Sequence, residues 1–136
     1  MAENVLVDAG FLVAILTDRD SNNRWAKTVA DRFPPPWKTC EAALSETFYL
    51  LGQHGASALI EVLRRGAVAC PFRLEGNTED VVALMRKYAS IPMSFADACL
   101  VRMTEILPDP ILLTSDTDFR IYRRLSRKII PCALPD

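Results

Sequence analysis

The sequence predicts an α/β domain built on a mainly parallel central sheet, and three observations carry that expectation. Segments of strand length alternate along the chain with longer stretches of helical periodicity. The apolar run Val5-Leu6-Val7 reads as a buried strand, and Ile111-Leu112-Leu113-Thr114 is strand-like in the same way. Asp8 closes the first run and Asp116 follows just after the second, at the carboxyl ends where open α/β sheets place their ligands.

In chain order, Val5 to Val7 forms the first strand and Gly10 to Thr17 a helix, broken by the turn formers Asp18-Arg19-Asp20-Ser21. A second amphipathic stretch around Trp25, Val29 and Phe33 is stopped by Pro34-Pro35-Pro36. Trp37 to Thr39 is a short second strand leading into a helix from about Glu41 to Leu51. Gly52 and Gly55 then bracket a turn into another helix that ends near Arg65 and Gly66. Ala67 to Phe72 reads as a third strand. Asn77 or Thr78 caps the helix carrying Val81, Val82, Leu84, Met85 and Tyr88, and Ile91-Pro92 ends it. Ser94 opens a helix through Glu105, and Pro108 and Pro110 frame the loop into the strand Ile111 to Thr114. A short helix around Phe119 to Leu125 and a last strand at Ile129 to Cys132 complete the chain.

The length of 136 residues is that of one domain, residues 1–136, and with 50% hydrophobic residues it can hold a core without staples. Cys40, Cys70, Cys99 and Cys132 are widely spaced, form no C-x-x-C pair and have only His54 to assist them, which argues against a zinc site or a disulfide framework. They read as small core residues in a reducing compartment. With no basic region ahead of an apolar stretch and no long apolar run, a cytoplasmic protein without membrane insertion is expected. The net charge of −1 excludes a globally basic nucleic-acid binder, yet Arg120, Arg123, Arg124, Arg127 and Lys128 cluster near the C-terminus.

Two further acids occupy odd places. Glu46 shares a helix face with the apolar residues Ala42, Ala43, Tyr49 and Leu50, and a glutamate on an inward stripe must be paired or ligated. Asp97 lies between two alanines in the first turn of its helix, near the positive end of the dipole. Each acid also has a purely structural reading. Ser94-Phe95-Ala96-Asp97 has the spacing of a capping box, Glu46 could pair with an arginine, and Asp116 sits in a run, Thr-Ser-Asp-Thr-Asp, rich in local backbone-bonding side chains. In that run Asp118 is the better cap and the weaker ligand candidate. Asp8 is harder to dismiss, because a strand-end acid before a glycine-containing turn has few structural duties.

Taken jointly, Asp8, Glu46, Asp97 and Asp116 describe a carboxylate metal site. Two carboxylates ~5 Å apart repel by about 3 kcal/mol at an effective dielectric of ~20, so three or four need a cation to remain ionised together. Oxygen-only donors suit Mg²⁺ or Mn²⁺.

The run Leu6-Val7-Asp8-Ala9-Gly10-Phe11-Leu12-Val13-Ala14, the helix bearing Glu46 after Thr39-Cys40-Glu41-Ala42, the step Ala96-Asp97-Ala98 and the run Leu113-Thr114-Ser115-Asp116-Thr117-Asp118-Phe119 resemble the PIN-domain ribonucleases, particularly the VapC-like toxins of type II toxin-antitoxin systems. The stretches Leu84 to Tyr88 and Ile91-Pro92-Met93 are similar to that group as well. The resemblance spans essentially the whole chain and keeps the order Asp, Glu, Asp, Asp. It implies a single PIN-like domain, an α/β/α sandwich with a divalent-metal site formed by Asp8, Glu46, Asp97 and Asp116. Thr114 matches the small hydroxyl residue that the family often places beside that site. One departure is Asn22-Asn23, where similar proteins often carry histidine after the Asp-Arg-Asp loop.

The chemistry so implied is hydrolysis of an RNA phosphodiester by metal-activated water, with Glu46 either a ligand or the group that orients the water. Arg120, Arg123, Arg124 and Arg127 with Tyr122 are candidates to track the RNA backbone, as are Arg64, Arg65, Arg86 and Lys87; their bland reading is a solvated surface. By resemblance, the partners are a second copy in a homodimer and an antitoxin whose segment occupies a groove near the metal site. Other strand-end aspartate enzymes fit less well. A haloacid-dehalogenase-type phosphatase needs a second aspartate where Gly10 stands, and a receiver domain needs adjacent early acids and a late lysine. Outside enzymes, the rival is a non-toxin PIN protein that binds RNA or protein through a weak or vestigial metal site.

Overall fold

The structure, a computed structural model, describes residues 2–136. The chain begins with β1 (Asn4–Val7), α1 (Ala9–Leu16) and α2 (Asn23–Arg32), followed by β2 (Trp37–Lys38), α3 (Glu41–Arg64) and β3 (Val68–Ala69). It continues through α4 (Thr78–Lys87), α5 (Phe95–Ile106) and β4 (Pro110–Leu113) to a 3₁₀ turn at Thr117–Arg120, then β5 (Arg123–Arg124), β6 (Lys128–Ile129) and β7 (Cys132–Ala133).

Five strands form a wholly parallel sheet in the order β3-β2-β1-β4-β7, with β1 at the centre. In β1 and β4, Leu6 pairs with Leu112 and Val7 with Leu113. Because strand side chains alternate between faces, this register sends Leu6 and Leu112 into one core and Val7 and Leu113 into another. The first core is filled by α5 through Ala98, Leu100, Val101 and Met103, with Phe119 and Tyr122. The second is filled by Phe11, Leu12, Ala14, Ala26, Val29 and Trp37. Phe11 meets Trp25 and Trp37 edge to face at 5.9 and 5.1 Å between ring centroids. Helices thus cover both faces of the sheet, as the sandwich expectation requires.

Several elements differ from the expectation for physical reasons. The third strand covers only Val68–Ala69, because Pro71 cannot donate to a ladder and Phe72 turns into the first core. The expected helix at 119–125 is instead the 3₁₀ turn followed by a β5–β6 hairpin, in which Arg124 pairs with Lys128. The expected last strand is divided at Pro131: Lys128–Ile129 joins the hairpin and Cys132–Ala133 joins the sheet beside β4. The hairpin turns through Leu125 and Ser126 with positive φ of 51° and 70°. That strained turn is held from outside, since the Leu125 amide donates to Glu105 at 2.7 Å and Lys87 donates to the Ser126 carbonyl at 3.2 Å.

The two helices expected between Glu41 and Arg65 are present as one element interrupted at Gly52, whose φ of 69° and ψ of −174° leave the helical region. Nothing lies within 4 Å of where a Cβ on Gly52 would stand, so backbone conformation and not crowding selects glycine there. Among the described residues, no helix is long and apolar enough to cross a membrane.

Candidate metal centre and its surroundings

Asp8, Glu46, Asp97 and Asp116 line one cavity of about 150 Å³ at the carboxyl end of the sheet, together with Gly10, Ala43, Ala96 and Ser115. Three elements deliver the aspartates. Asp8 follows β1 and is the N-cap of α1, its Oδ1 accepting from the Phe11 amide at 2.8 Å. Asp116 follows β4 and caps the 3₁₀ turn by accepting from the Asp118 amide at 2.9 Å. Asp97 lies in the first turn of α5, where Ser94 accepts from the Asp97 amide at 3.0 Å and the Asp97 carboxylate accepts from Ser94 in return.

The structural duties weighed for Asp97 and Asp116 are therefore real and coexist with a shared cavity. Asp8 has a capping role after all. In the Thr-Ser-Asp-Thr-Asp run it is Asp116, not Asp118, that serves as cap, and Asp118 does not line the cavity.

Threonine hydroxyls tie the strand ends together. Thr39 donates to the Val7 carbonyl at 2.7 Å, bridging β2 to β1. The wholly buried Thr114 donates to Asp8 Oδ2 and accepts from the Asp116 amide at 2.9 Å, so one side chain fixes both strand-end acids. Tyr122, also wholly buried, donates to Asp97 Oδ2 at 3.2 Å. Sequence reading set Tyr122 among the residues facing RNA; the structure places it inside, wedged edge to face against Tyr88 and Phe119. Ser115, which the sequence does not single out, also lines the cavity. Its Oγ lies 3.1 Å from where a Cβ on Gly10 would stand, and the only hint in the sequence was its place between Thr114 and Asp116.

Glu46 differs from its expected setting. The buried stripe of this part of α3 is Ala43 and Thr47, while Glu46 is exposed and its neighbours Tyr49 and Leu50 are 84% and 53% exposed. Glu46 stands on the rim of the cavity and the aspartates form its floor.

Electrostatics distinguishes floor from rim. Burial pushes the Asp8 carboxyl up to about 6; the Thr114 and Phe11 hydrogen bonds oppose that rise, and the charges of Asp116 and Asp97 add to it. Burial, then the charge of Asp116, pushes Asp97 up as well. Three partly desolvated carboxylates that repel one another form a site deficient in positive charge, and the oxygen-only set suits a hard divalent cation. As the side chains stand, among the described residues no three such donors converge closely enough to hold an ion. The donor chemistry fits Mg²⁺ or Mn²⁺, and closing the set requires side-chain rotation, for which the exposed Glu46 has the most room.

Of the candidate RNA contacts, Arg120 is exposed and lines a shallow depression of about 450 Å³ with Ile129, Pro131 and Cys132. Arg123 and Arg124 have internal partners. Arg123 donates to the carbonyls of Arg120 at 2.6 Å and of Ile121 and Tyr122 at 3.1 Å, and Arg124 donates through two nitrogens to the Thr104 carbonyl. Arg64 and Arg65 pair with Glu61 at the surface, at 4.0 and 3.4 Å.

The family model of the PIN domain matches residues 5–125. Among solved structures, the chain is similar to the VapC20 toxin of Mycobacterium tuberculosis, described as cleaving the sarcin-ricin loop. That match has 22% identity and a TM-score of 0.71, and covers 85% of this chain and 92% of that one. No curated protein matches.

Proposed function

The chain belongs to the PIN-domain family, and from that premise we propose that it is a divalent-metal-dependent ribonuclease acting as the toxin of a toxin-antitoxin pair. The observation that carries the reading is the single cavity lined by Asp8, Glu46, Asp97 and Asp116, with Asp8 and Asp97 both pushed up by burial and by the charge of Asp116. Asp8, Asp97 and Asp116 would hold the cation, which when bound supplies a Lewis acid that stabilises charge building on the scissile phosphate.

The chain's own groups do the rest. Thr114 and the Phe11 amide hold Asp8 in one orientation, and Tyr122 and Ser94 hold Asp97, so two acids are set before substrate arrives. Glu46, exposed on the rim, orients or deprotonates the attacking water. Arg120, Arg127 and Lys128 are the exposed members of the basic cluster for the RNA backbone, with Arg123 and Arg124 bracing the hairpin beside them. The toxin assignment draws on the likeness to VapC20, and the resemblance to VapC-like toxins adds a homodimer and an antitoxin partner to the proposal. The exposed Tyr49 and Leu50 beside the rim are the apolar surface available to such a partner.

The test is cleavage of a panel of structured and single-stranded RNAs by purified protein with Mg²⁺, Mn²⁺ or EDTA, beside Asp8→Asn and Asp97→Asn. Metal-dependent cleavage that falls by ~10² or more in both folded variants is the expected result. A folded wild type that binds these RNAs but cleaves none of them with either metal would favour a binding module instead.

A further inference from the structure

The cavity at the strand ends is lined almost entirely by groups that accept hydrogen bonds. Asp8, Glu46, Asp97 and Asp116 are its acids, and of the other side chains on its lining only Ser115 is polar. An ionised carboxylate accepts and does not donate, and the non-bridging oxygens of a phosphodiester behave in the same way. Among the side chains lining this cavity, Ser115 alone can therefore meet a phosphate oxygen without a cation between them.

The hydroxyl is free for that duty. Its neighbour Thr114 is wholly buried and commits its own hydroxyl to Asp8 and to the Asp116 amide at 2.9 Å. Ser115 is half-buried, and among the described residues no hydrogen bond engages its Oγ. No buried side-chain nitrogen or oxygen of those residues lacks a partner, so this unpartnered oxygen is open to solvent. The backbone on either side is pinned, since the Thr114 amide donates to the Ala133 carbonyl at 3.1 Å and Asp116 caps the 3₁₀ turn. Gly10 forms the facing wall. A Cβ there would stand 3.1 Å from Ser115 Oγ and 3.6 Å from Asp8 Oδ1, so a larger residue would press on the hydroxyl. Glycine leaves that space clear. The cavity of about 150 Å³ exceeds the roughly 30 Å³ that a water takes up in the liquid several times over, leaving room for a phosphate oxygen beside a cation.

Resting on the ribonuclease reading, we propose that Ser115 is a phosphate-binding residue whose hydroxyl donates to a non-bridging oxygen of the bound RNA, in the space that Gly10 keeps open. The acids act on the phosphate only through the cation they hold, and Ser115 fixes how the group is turned towards them. A hydrogen bond made alike in the bound and reacting states acts on affinity and not on turnover.

The test is the affinity of a fluorescent single-stranded RNA in Ca²⁺, which takes the same oxygen ligands as Mg²⁺. Ser115→Ala should bind about tenfold more weakly, the loss of one hydrogen bond to a charged acceptor, and Ser115→Thr, which keeps the hydroxyl, should stay within about twofold of wild type. Ser115→Ala removes an unpartnered oxygen, so its unfolding midpoint should not move. Gly10→Ala should weaken binding when Ser115 is present and add little in the Ser115→Ala background, where there is no Oγ to displace. The same oligonucleotide with 2′-fluoro sugars keeps every phosphate and has no ribose hydroxyl, and Ser115→Ala should lose as much affinity for it. With Mg²⁺ and a cleaved RNA, the loss should fall on KM, with kcat within about twofold. Unchanged affinity in Ser115→Ala would overturn the proposal, as would a loss confined to the ribose oligonucleotide or an equal effect of Gly10→Ala in both backgrounds. If the wild type binds RNA without cleaving it, the nuclease reading fails and the affinities still decide for or against Ser115. A wild type that binds no RNA overturns both.

Discussion

Replacing Asp8 with asparagine should stabilise the metal-free protein at neutral pH, although Asp8 caps a helix and lies in a buried hydrogen-bond network. Its carboxyl moves from 3.8 to about 6 on folding. At ~1.4 kcal/mol per pKa unit, the ionised form then opposes folding by about 3 kcal/mol. The folded-state value is raised, so the stability carried by protonated Asp8 is fully present below pH 3.8 and is lost as pH rises through about 6. The asparagine side chain would keep an oxygen for the Phe11 amide and meet Thr114 with an N–H instead of an acceptor, a rearrangement costing roughly 1 kcal/mol. The net gain expected in urea denaturation with EDTA is about 2 kcal/mol at pH 7.5, vanishing or reversing near pH 4. Asp97, raised for similar reasons, should leave some slope in the variant. A variant less stable than wild type at pH 7.5, or a wild type whose midpoint does not fall between pH 5 and 7.5, would refute this account of the cavity.

Two further substitutions probe its supports. Thr114→Val removes a hydroxyl that serves Asp8 and the Asp116 amide together; it should cost ~1–3 kcal/mol and raise the Asp8 titration midpoint, read from carboxyl-carbon NMR shifts, and an unchanged midpoint would contradict it. Arg124→Ala should destabilise by ~1–3 kcal/mol with an unaltered salt dependence of RNA binding. Arg120→Ala should leave stability within ~0.5 kcal/mol and reduce the slope of log affinity on log salt by about 1. Reversal of that pattern would mean that Arg124, not Arg120, meets the phosphates.

What the sequence made legible was whatever short-range chemistry decides. Val5 to Val7 is apolar at every position because β1 is central and covered on both faces, so the strand could be read without tertiary knowledge, whereas which side chain enters which core could not. Ser94 and the proline run mark helix ends by local rules that tertiary packing did not override. The hairpin was hidden because its turn places leucine and serine, not glycine or asparagine, at positive φ; the partners that hold it, Glu105 and Lys87, come from distant helices. Glu46 reads as inward because Tyr49 and Leu50 look like core residues, and nothing local shows that they are left uncovered.

The interruption at Gly52 bears on how Glu46 reaches the aspartates. An unbroken helix over the span of α3 would be a stiff rod of roughly 36 Å. Any tilt at the Glu46 end would then lever its far end, where Leu59 is packed beyond reach of solvent. With helical backbone conformation broken at Gly52, the leading segment and the segment that holds Leu59 take separate axes. Glu46 is thus carried on a short rod anchored by its own buried Ala43 and Thr47, and the direction in which that rod presents the acid to the cavity is set separately from the direction taken by the rest of the helix.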